Sequence, residues 1–165
     1  MRFSPLALTL GLAASAMSVA VSGQKPDDQI APRSVALVQQ AQAAFTAGNL
    51  DTADDLLETA LAVDPRNRAA FVALGRVAIR EKLFGKAIRL TNKALAIEPT
   101  DRDAVAVQGQ AMVELGALPR AKGNLVRLQK LCAGPCPQAA ALSASIAHGP
   151  ALASASTKLP LKKIN

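Results

Sequence analysis

Two cysteines and one histidine are the residues of this 165-residue chain with the most obvious chemistry. Cys132 and Cys136 are its only thiols, and they stand in the stretch LCAGPCP, where Gly134 and Pro135 favour a turn between them. Two thiols at this spacing can close a short disulfide loop in an oxidising compartment, and we predict that they do so. Thiolates also bind Cu(I) or Zn, with His148 as a candidate third ligand, but such a site would be incomplete.

The spacing C-x-x-x-C-P resembles the copper-binding motif of the Sco family of copper chaperones. This resemblance covers six residues, and the Sco fold requires a thioredoxin-like strand pattern that the sequence lacks. Attachment of a c-type haem would need C-x-x-C-H, which the sequence also lacks. We therefore expect no cofactor and no bound metal, and we keep a metal or redox accessory function of Cys132 and Cys136 as an alternative.

Hydrolytic enzymes need a constellation of groups that this sequence does not contain. It has one histidine, no Gly-x-Ser-x-Gly motif and no glycine-rich phosphate-binding loop. Its acidic residues do not suggest a catalytic pair, because Asp54, Asp55 and Glu58 lie on the solvent-facing side of an amphipathic helical pattern. The sequence therefore predicts a protein that is not an enzyme.

The first residues, MRFSPLALTLGLAASAMSVAVSG, have the pattern of a secretory signal peptide. One positive charge at Arg2 precedes an uncharged apolar run from Leu6 to about Ala16, and small residues follow. The run is shorter than the roughly 20 residues that span a bilayer, and no cysteine follows it as a bacterial lipid anchor would require. We predict a signal peptide over residues 1–20, a linker over 21–33, and a periplasmic or secreted protein.

The chain is basic, with a net charge of +7, to which residues 1–20 contribute only Arg2. A basic protein can bind nucleic acid, an anionic membrane surface or an acidic protein partner. Nucleic acid is disfavoured, because single-strand binding uses aromatic platforms and the chain has no Trp, no Tyr and few Phe. The segment 149–165 has few bulky residues and is predicted to be a disordered basic tail. Contact of its lysines with an anionic envelope surface is a second alternative function.

An internal repeat defines the elements that must position these residues. Residues 60–71 read ALAVDPRNRAAF and residues 94–105 read ALAIEPTDRDAV, a separation of 34 residues. Within each copy, apolar residues recur with the 3.6-residue periodicity of a helix. The same period relates two sets of small residues: Ala41, Gly75 and Gly109, and Ala53, Ala87 and Ala121.

Two kinds of turn divide each copy into two helices. Gly48 and Gly116 suit the left-handed end of a first helix, a conformation that Lys82 adopts less easily at the equivalent position. The stretches DPRN and EPTD end the second helices at proline and offer Asn67 and Asp101 as N-caps for the next pair. The predicted helices span 33–47, 51–63, 67–81, 85–97, 101–115, 118–131 and, as a cap on the end of the array, 137–147.

A 34-residue period with paired helices, small residues at helix crossings and a terminal proline resembles the tetratricopeptide repeat family. The resemblance covers about residues 34–131 and is carried by Ala41, Gly48, Ala53, Leu57, Ala60 and Pro65, by Leu74, Gly75, Ala87, Ala94 and Pro99, and by Gly109, Gly116, Ala121 and Leu125. It implies an all-α fold, an α-solenoid of about three helix-turn-helix repeats plus a C-terminal capping helix, in a domain spanning 34–148.

The resemblance also implies a function in protein binding. In this family the first helix of each pair lines a concave groove that holds a peptide or a partner helix. The period places the candidate groove residues at Val38, Gln42, Phe45, Val72, Arg76, Ile79, Arg80, Gln110 and Val113. We expect Arg76, which faces only glutamines, to bind an acidic segment of an unknown protein partner, whereas Arg80 could pair with Glu114.

One subtype of the family, the carboxylate clamp, grips acidic chain termini with Lys and Asn side chains. This chain has Val38, Gln42 and Ala106 where that pattern would be sought, so we do not expect the subtype. The sequence as a whole predicts a non-catalytic adaptor of the bacterial cell envelope.

Overall fold

A computed structural model describes residues 29–150 as seven α-helices, with no strand among these residues. The all-α prediction is confirmed, and every predicted helix boundary agrees with the structure to within one residue. No helix within the described range is long and apolar enough to cross a membrane. The helices are α1 (Pro32–Thr46), α2 (Leu50–Val63), α3 (Arg68–Arg80), α4 (Phe84–Ile97), α5 (Arg102–Glu114), α6 (Leu118–Leu131) and α7 (Pro137–His148).

Three predictions concern segments that lie mostly outside the described residues. These are the signal peptide over 1–20, the linker over 21–33 and the tail over 149–165, of which only 29–33 and 149–150 are described. The last two linker residues, Pro32 and Arg33, belong to α1. Proline is well tolerated in the first turn of a helix, because its missing N–H would have no partner there.

The helices form three antiparallel pairs that stack in chain order. Each first helix packs on its own second helix, and the first helices α1, α3 and α5 also pack on one another. The second helices α2, α4 and α6 do not pack closely on one another, so they form the wider, outer side of the array. We call α1, α3 and α5 the inner helices and α2, α4 and α6 the outer helices.

Small residues allow the close helix crossings, as the 34-residue period predicted. Ala53, Ala87 and Ala121 are completely buried between the helices of the three pairs. A Cβ on Gly75 would lie 3.2 Å from Val107 Cγ1, whereas a Cβ on Gly109 would lie 2.6 Å from Leu142 Cδ2. Glycine at position 109 leaves room for the Leu142 side chain, through which α7 packs on α5.

The turns inside each pair have the predicted left-handed geometry. The backbone φ is 83° at Gly48, 63° at Lys82 and 74° at Gly116. Glycine adopts this conformation without a Cβ clash, whereas Lys82 does so at a steric cost of about 1–2 kcal/mol. The second repeat therefore has the least favourable of the three turns.

Polar side chains hold the junction between the first two pairs. The Asn67 side chain accepts a hydrogen bond from Ala70 N–H (3.3 Å), which confirms the predicted N-cap, and donates to the buried Ser34 hydroxyl (2.8 Å). Asp64 accepts hydrogen bonds from the Ala31 and Arg66 N–H groups (3.0 Å each). These two hydrogen bonds lower the pKa of the Asp64 carboxyl below its ordinary value.

The second junction keeps these two positions and changes the chemistry, whereas the third has its link inside the turn itself. Asp101 caps α5 through Ala104 N–H (2.9 Å) and pairs with Arg68, so Arg68 and Asp101 are the repeat equivalents of Ser34 and Asn67. At the third junction, Cys132 follows α6 and Cys136 precedes α7, and their sulfurs lie at disulfide distance with the Cα atoms 5.9 Å apart. A covalent link thus takes the place of the polar contacts.

Candidate binding groove

The inner face of the array is lined by α1, α3, α5 and α7. Helix α7 packs against both α5 and α6, where the inner helix of a further repeat would lie. A cleft of about 350 Å³ opens between α3, α5 and α7. Its polar lining comes from Arg76, Asp103, Gln110, Gln138 and Ser145, and its apolar lining includes Ala106, Ala141 and Leu142.

An ion pair and a hydrogen bond join the three helices at this cleft. Arg76 Nη2 on α3 lies 3.7 Å from Asp103 Oδ1 on α5, with the two side chains 41% and 53% exposed. The Gln138 side-chain amide on α7 donates to the same Asp103 oxygen at 3.1 Å. The expectation that Arg76 faces only glutamines is therefore wrong, since an acidic neighbour lies beside it.

The other end of the groove contains an aromatic contact. The Arg80 guanidinium carbon lies 5.1 Å from the centre of the Phe45 ring, a distance at which the cation and the ring attract each other. A small recess beside this contact is lined by Gln42, Phe45, Ala73 and Arg76. The inner face of α1 and α3 therefore combines an aromatic ring with two arginines.

The predicted groove residues fall into two groups. Gln42, Arg80 and Gln110 are exposed, and Val38, Phe45, Arg76 and Ile79 are partly exposed, so these seven are accessible to a ligand. Val72 and Val113 are 4% and 0% exposed, so a ligand cannot reach them. They are core residues, because an inner helix packs on its own outer helix and on the neighbouring repeat, which leaves a narrow free face.

Sequence reasoning missed Asp103 and Gln138. Both lie in the first turns of their helices, α5 and α7, where a polar residue is ordinarily explained by the unpaired N–H groups of the helix end. Since α7 was expected only to cover the end of the array, its side chains were not predicted to line the groove. Adding one more 34-residue period to Asp103 gives Pro137, the residue before Gln138. Extending the repeat to α7 would therefore have predicted that Gln138 lies beside the groove.

The thiols and the histidine lie apart. Cys136 immediately precedes α7 and His148 ends it, so a helical rise of 1.5 Å per residue separates them by about 18 Å. His148 therefore cannot be a third ligand for the cysteine pair in this conformation. Among residues 29–150, no three His, Cys, Asp or Glu side chains lie close enough together to hold a metal ion.

Comparison with known proteins gives a family match and structural neighbours. A family model described as tetratricopeptide repeat matches residues 44–111, from the end of α1 into α5. No curated protein sequence is significantly similar to the chain.

Solved structures of the same architecture cover most of the chain. The first TPR of Spaghetti (RPAP3) bound to the HSP90 peptide SRMEEVD is 25% identical, with a TM-score of 0.64, over 73% of this chain and 94% of that one. The second TPR domain of human RPAP3 in complex with the HSP70 peptide SGPTIEEVD is 19% identical, with a TM-score of 0.62, over 70% and 95% of the two chains. The Yersinia enterocolitica type III secretion translocator chaperone SycD is 16% identical, with a TM-score of 0.63, over 78% and 97%.

Proposed function

The chain belongs to the tetratricopeptide repeat family, and from this membership we propose that it is a non-catalytic adaptor that binds a peptide or a partner helix along α1, α3, α5 and α7. The observation that carries the proposal is the cleft between α3, α5 and α7, where polar groups from three helices surround the accessible side chains of Ala106 and Ala141. A structurally similar domain, the first TPR of Spaghetti, is bound to a peptide in its own structure. This likeness supports a protein partner.

An acidic segment is the ligand that suits the groove best. Arg76 and Arg80 are one helical turn apart on α3 and lie on one face of it. The distance from Arg76 to Asp103 exceeds a direct hydrogen bond, and exposed pairs of this kind contribute about 0–1 kcal/mol. A partner carboxylate at hydrogen-bond distance would contribute roughly 1.5–3 kcal/mol, enough to displace Asp103. The HSP90 peptide SRMEEVD, bound by the similar domain, is itself rich in acidic residues.

Affinity capture from the native cell envelope tests this proposal. Arg76→Glu should reduce capture of the partner by about tenfold or more, because it removes an attraction and adds a repulsion. Asp55→Lys reverses a charge on the outer helix α2 and should leave capture unchanged. Undiminished capture by the Arg76 variant, combined with loss in the Asp55 variant, would place the binding surface on the outer helices.

We also propose that the protein is exported and acts in a bacterial envelope. Support comes from the charged, apolar and small-residue pattern of residues 1–20, and from a cysteine pair at disulfide distance, which suits an oxidising compartment. Intact-mass analysis of protein from a secreting host should show cleavage between about Ala16 and Gly23. Retention of Met1 in the mature protein would overturn export by this route.

A further inference from the structure

The charges of the outer helices are strongly segregated. Helix α2 carries four acidic side chains and no basic one, at Asp51, Asp54, Asp55 and Glu58. Helix α4 carries Lys86, Arg89 and Lys93, and α6 carries Arg120, Lys122, Arg127 and Lys130, with no acidic residue along Phe84–Ile97 or Leu118–Leu131. We call the cations of α4 and α6 the basic face. One end of the outer side is thus acidic and the rest is basic.

The basic face follows the repeat. Lys86 and Arg120 are 34 residues apart, as are Lys93 and Arg127, so each pair occupies equivalent positions on adjacent outer helices. The first repeat has uncharged threonines at both of these positions, Thr52 and Thr59. Seven residues of helix separate the two rows of cations, which corresponds to about 10 Å along the helix axis.

The contacts of three of these cations do not neutralise the face; one of the three is Arg127, which donates to the uncharged Pro99 carbonyl oxygen. Lys86 Nζ lies 3.3 Å from Asp54 Oδ1, and this carboxylate belongs to α2. Lys93 Nζ lies 5.6 Å from the centre of the Phe71 ring. This contact orients the ammonium group but does not neutralise its positive charge. Lys122 and Lys130 on α6 are exposed. Most of the positive charge is therefore available to a ligand.

Exposed aliphatic side chains accompany the cations. Val126 is 49% exposed and lies four residues from both Lys122 and Lys130, on the same face of α6. Leu83 and Leu115 are 49% and 54% exposed in the turns before α4 and α6. Isolated large apolar side chains among cations are typical of surfaces that rest on the headgroup region of a bilayer.

We propose that the basic face docks the protein on an anionic lipid surface, independently of the inner groove. Rows of cations spread over two helices suit a ligand whose negative charge is itself spread over a plane. A nucleic-acid strand would require aromatic side chains on which its bases stack. Helices α4 and α6 carry a single aromatic residue, Phe84, and it is partly buried. The inner groove stays free in this orientation, because inner and outer helices lie on opposite sides of the array.

Vesicle co-sedimentation of the full chain tests the proposal. Binding is measured to phosphatidylcholine vesicles with and without phosphatidylglycerol; the neutral vesicles report any binding by the apolar residues 6–16, which all variants share. The face variant is Lys93→Gln with Arg120→Gln, one exposed cation from each row and from each helix. Its matched control is Arg33→Gln with Arg102→Gln, two exposed arginines in the first turns of inner helices, so both variants lose the same charge. Circular dichroism verifies that both remain helical.

Wild type should prefer the anionic vesicles, and salt should weaken this binding. Each cation near an anionic bilayer raises binding about fivefold, so the face variant should bind roughly 25-fold more weakly while the control stays close to wild type. Equal losses in the two variants would mean that only net charge matters and would overturn the proposal. Absence of an anionic preference would also overturn it, as would loss confined to a variant of the tail lysines Lys158, Lys162 and Lys163.

Discussion

Replacing Gly109 by alanine should loosen the packing of α7 on α5. The added Cβ would lie 2.6 and 2.9 Å from the two terminal carbons of Leu142, which is 2% exposed. Reaching an ordinary contact of 3.4 Å would need a shift of about 0.8 Å in a packed core. Overpacking of this kind costs about 1–3 kcal/mol, against a gain of about 0.5–1 kcal/mol from replacing a helical glycine. We expect a net loss of about 1–2 kcal/mol.

Gly123 provides the matched control, since it is also a glycine inside a helix but its added Cβ would meet nothing within 4 Å. Gly123→Ala should therefore stabilise the protein by about 0.5–1 kcal/mol. Urea unfolding gives both changes, and hydrogen exchange locates the Gly109 effect, which should be concentrated in α7. If Gly109→Ala is as stabilising as Gly123→Ala, the Leu142 side chain does not fill the space beside Gly109 in solution.

Three further perturbations have defined outcomes. Without reductant, alkylation should label neither Cys132 nor Cys136, and two free thiols in the oxidised protein would contradict the disulfide. Replacing both cysteines by serine should lower the free energy of unfolding by about 2 kcal/mol, and hydrogen exchange should locate this loss in α7. The lowered pKa of Asp64 means that its stabilisation is complete above its unfolded pKa and is lost as pH falls through the lower folded pKa. Asp64→Asn should therefore destabilise the protein at neutral pH and flatten its acid unfolding curve, whereas parallel curves for the variant and wild type would contradict that role. Lys82→Gly should raise the unfolding free energy by about 0.5–1 kcal/mol, since Lys82 has a φ of 63°; a destabilised variant would mean that the lysine side chain stabilises the turn.

The fold could be predicted because its determinants are local and periodic. Three alanines, Ala53, Ala87 and Ala121, occupy the same buried position in three copies, and prolines and caps recur with them. Helix boundaries follow from short-range rules for turns and N-caps, which do not depend on distant residues. The agreement of all seven helices reflects this locality.

The composition of the groove depended on contacts between distant residues and was predicted only in part. The CAGPC junction separates its two end positions by four residues, where DPRN separates them by three, and this extra residue hides the alignment of α7 with the earlier inner helices. The pairing of Arg76 with Asp103 depends on how α3 and α5 cross, which neither local sequence specifies. Val72 and Val113 are the converse error, because period alone does not distinguish a groove-lining position from a core position.

Site-specific photo-crosslinking in the native host tests groove binding most directly, because the covalent adduct both locates the contact and identifies the partner by its mass. A photoreactive residue is placed in turn at the exposed inner positions Gln42 and Gln110, and at the exposed outer positions Asp55 and Glu58. A ligand held along the inner helices predicts a common protein adduct from Gln42 and Gln110 and none from α2. Adducts from Asp55 and Glu58, with none from the inner positions, would contradict groove binding and assign the partner to the outer side.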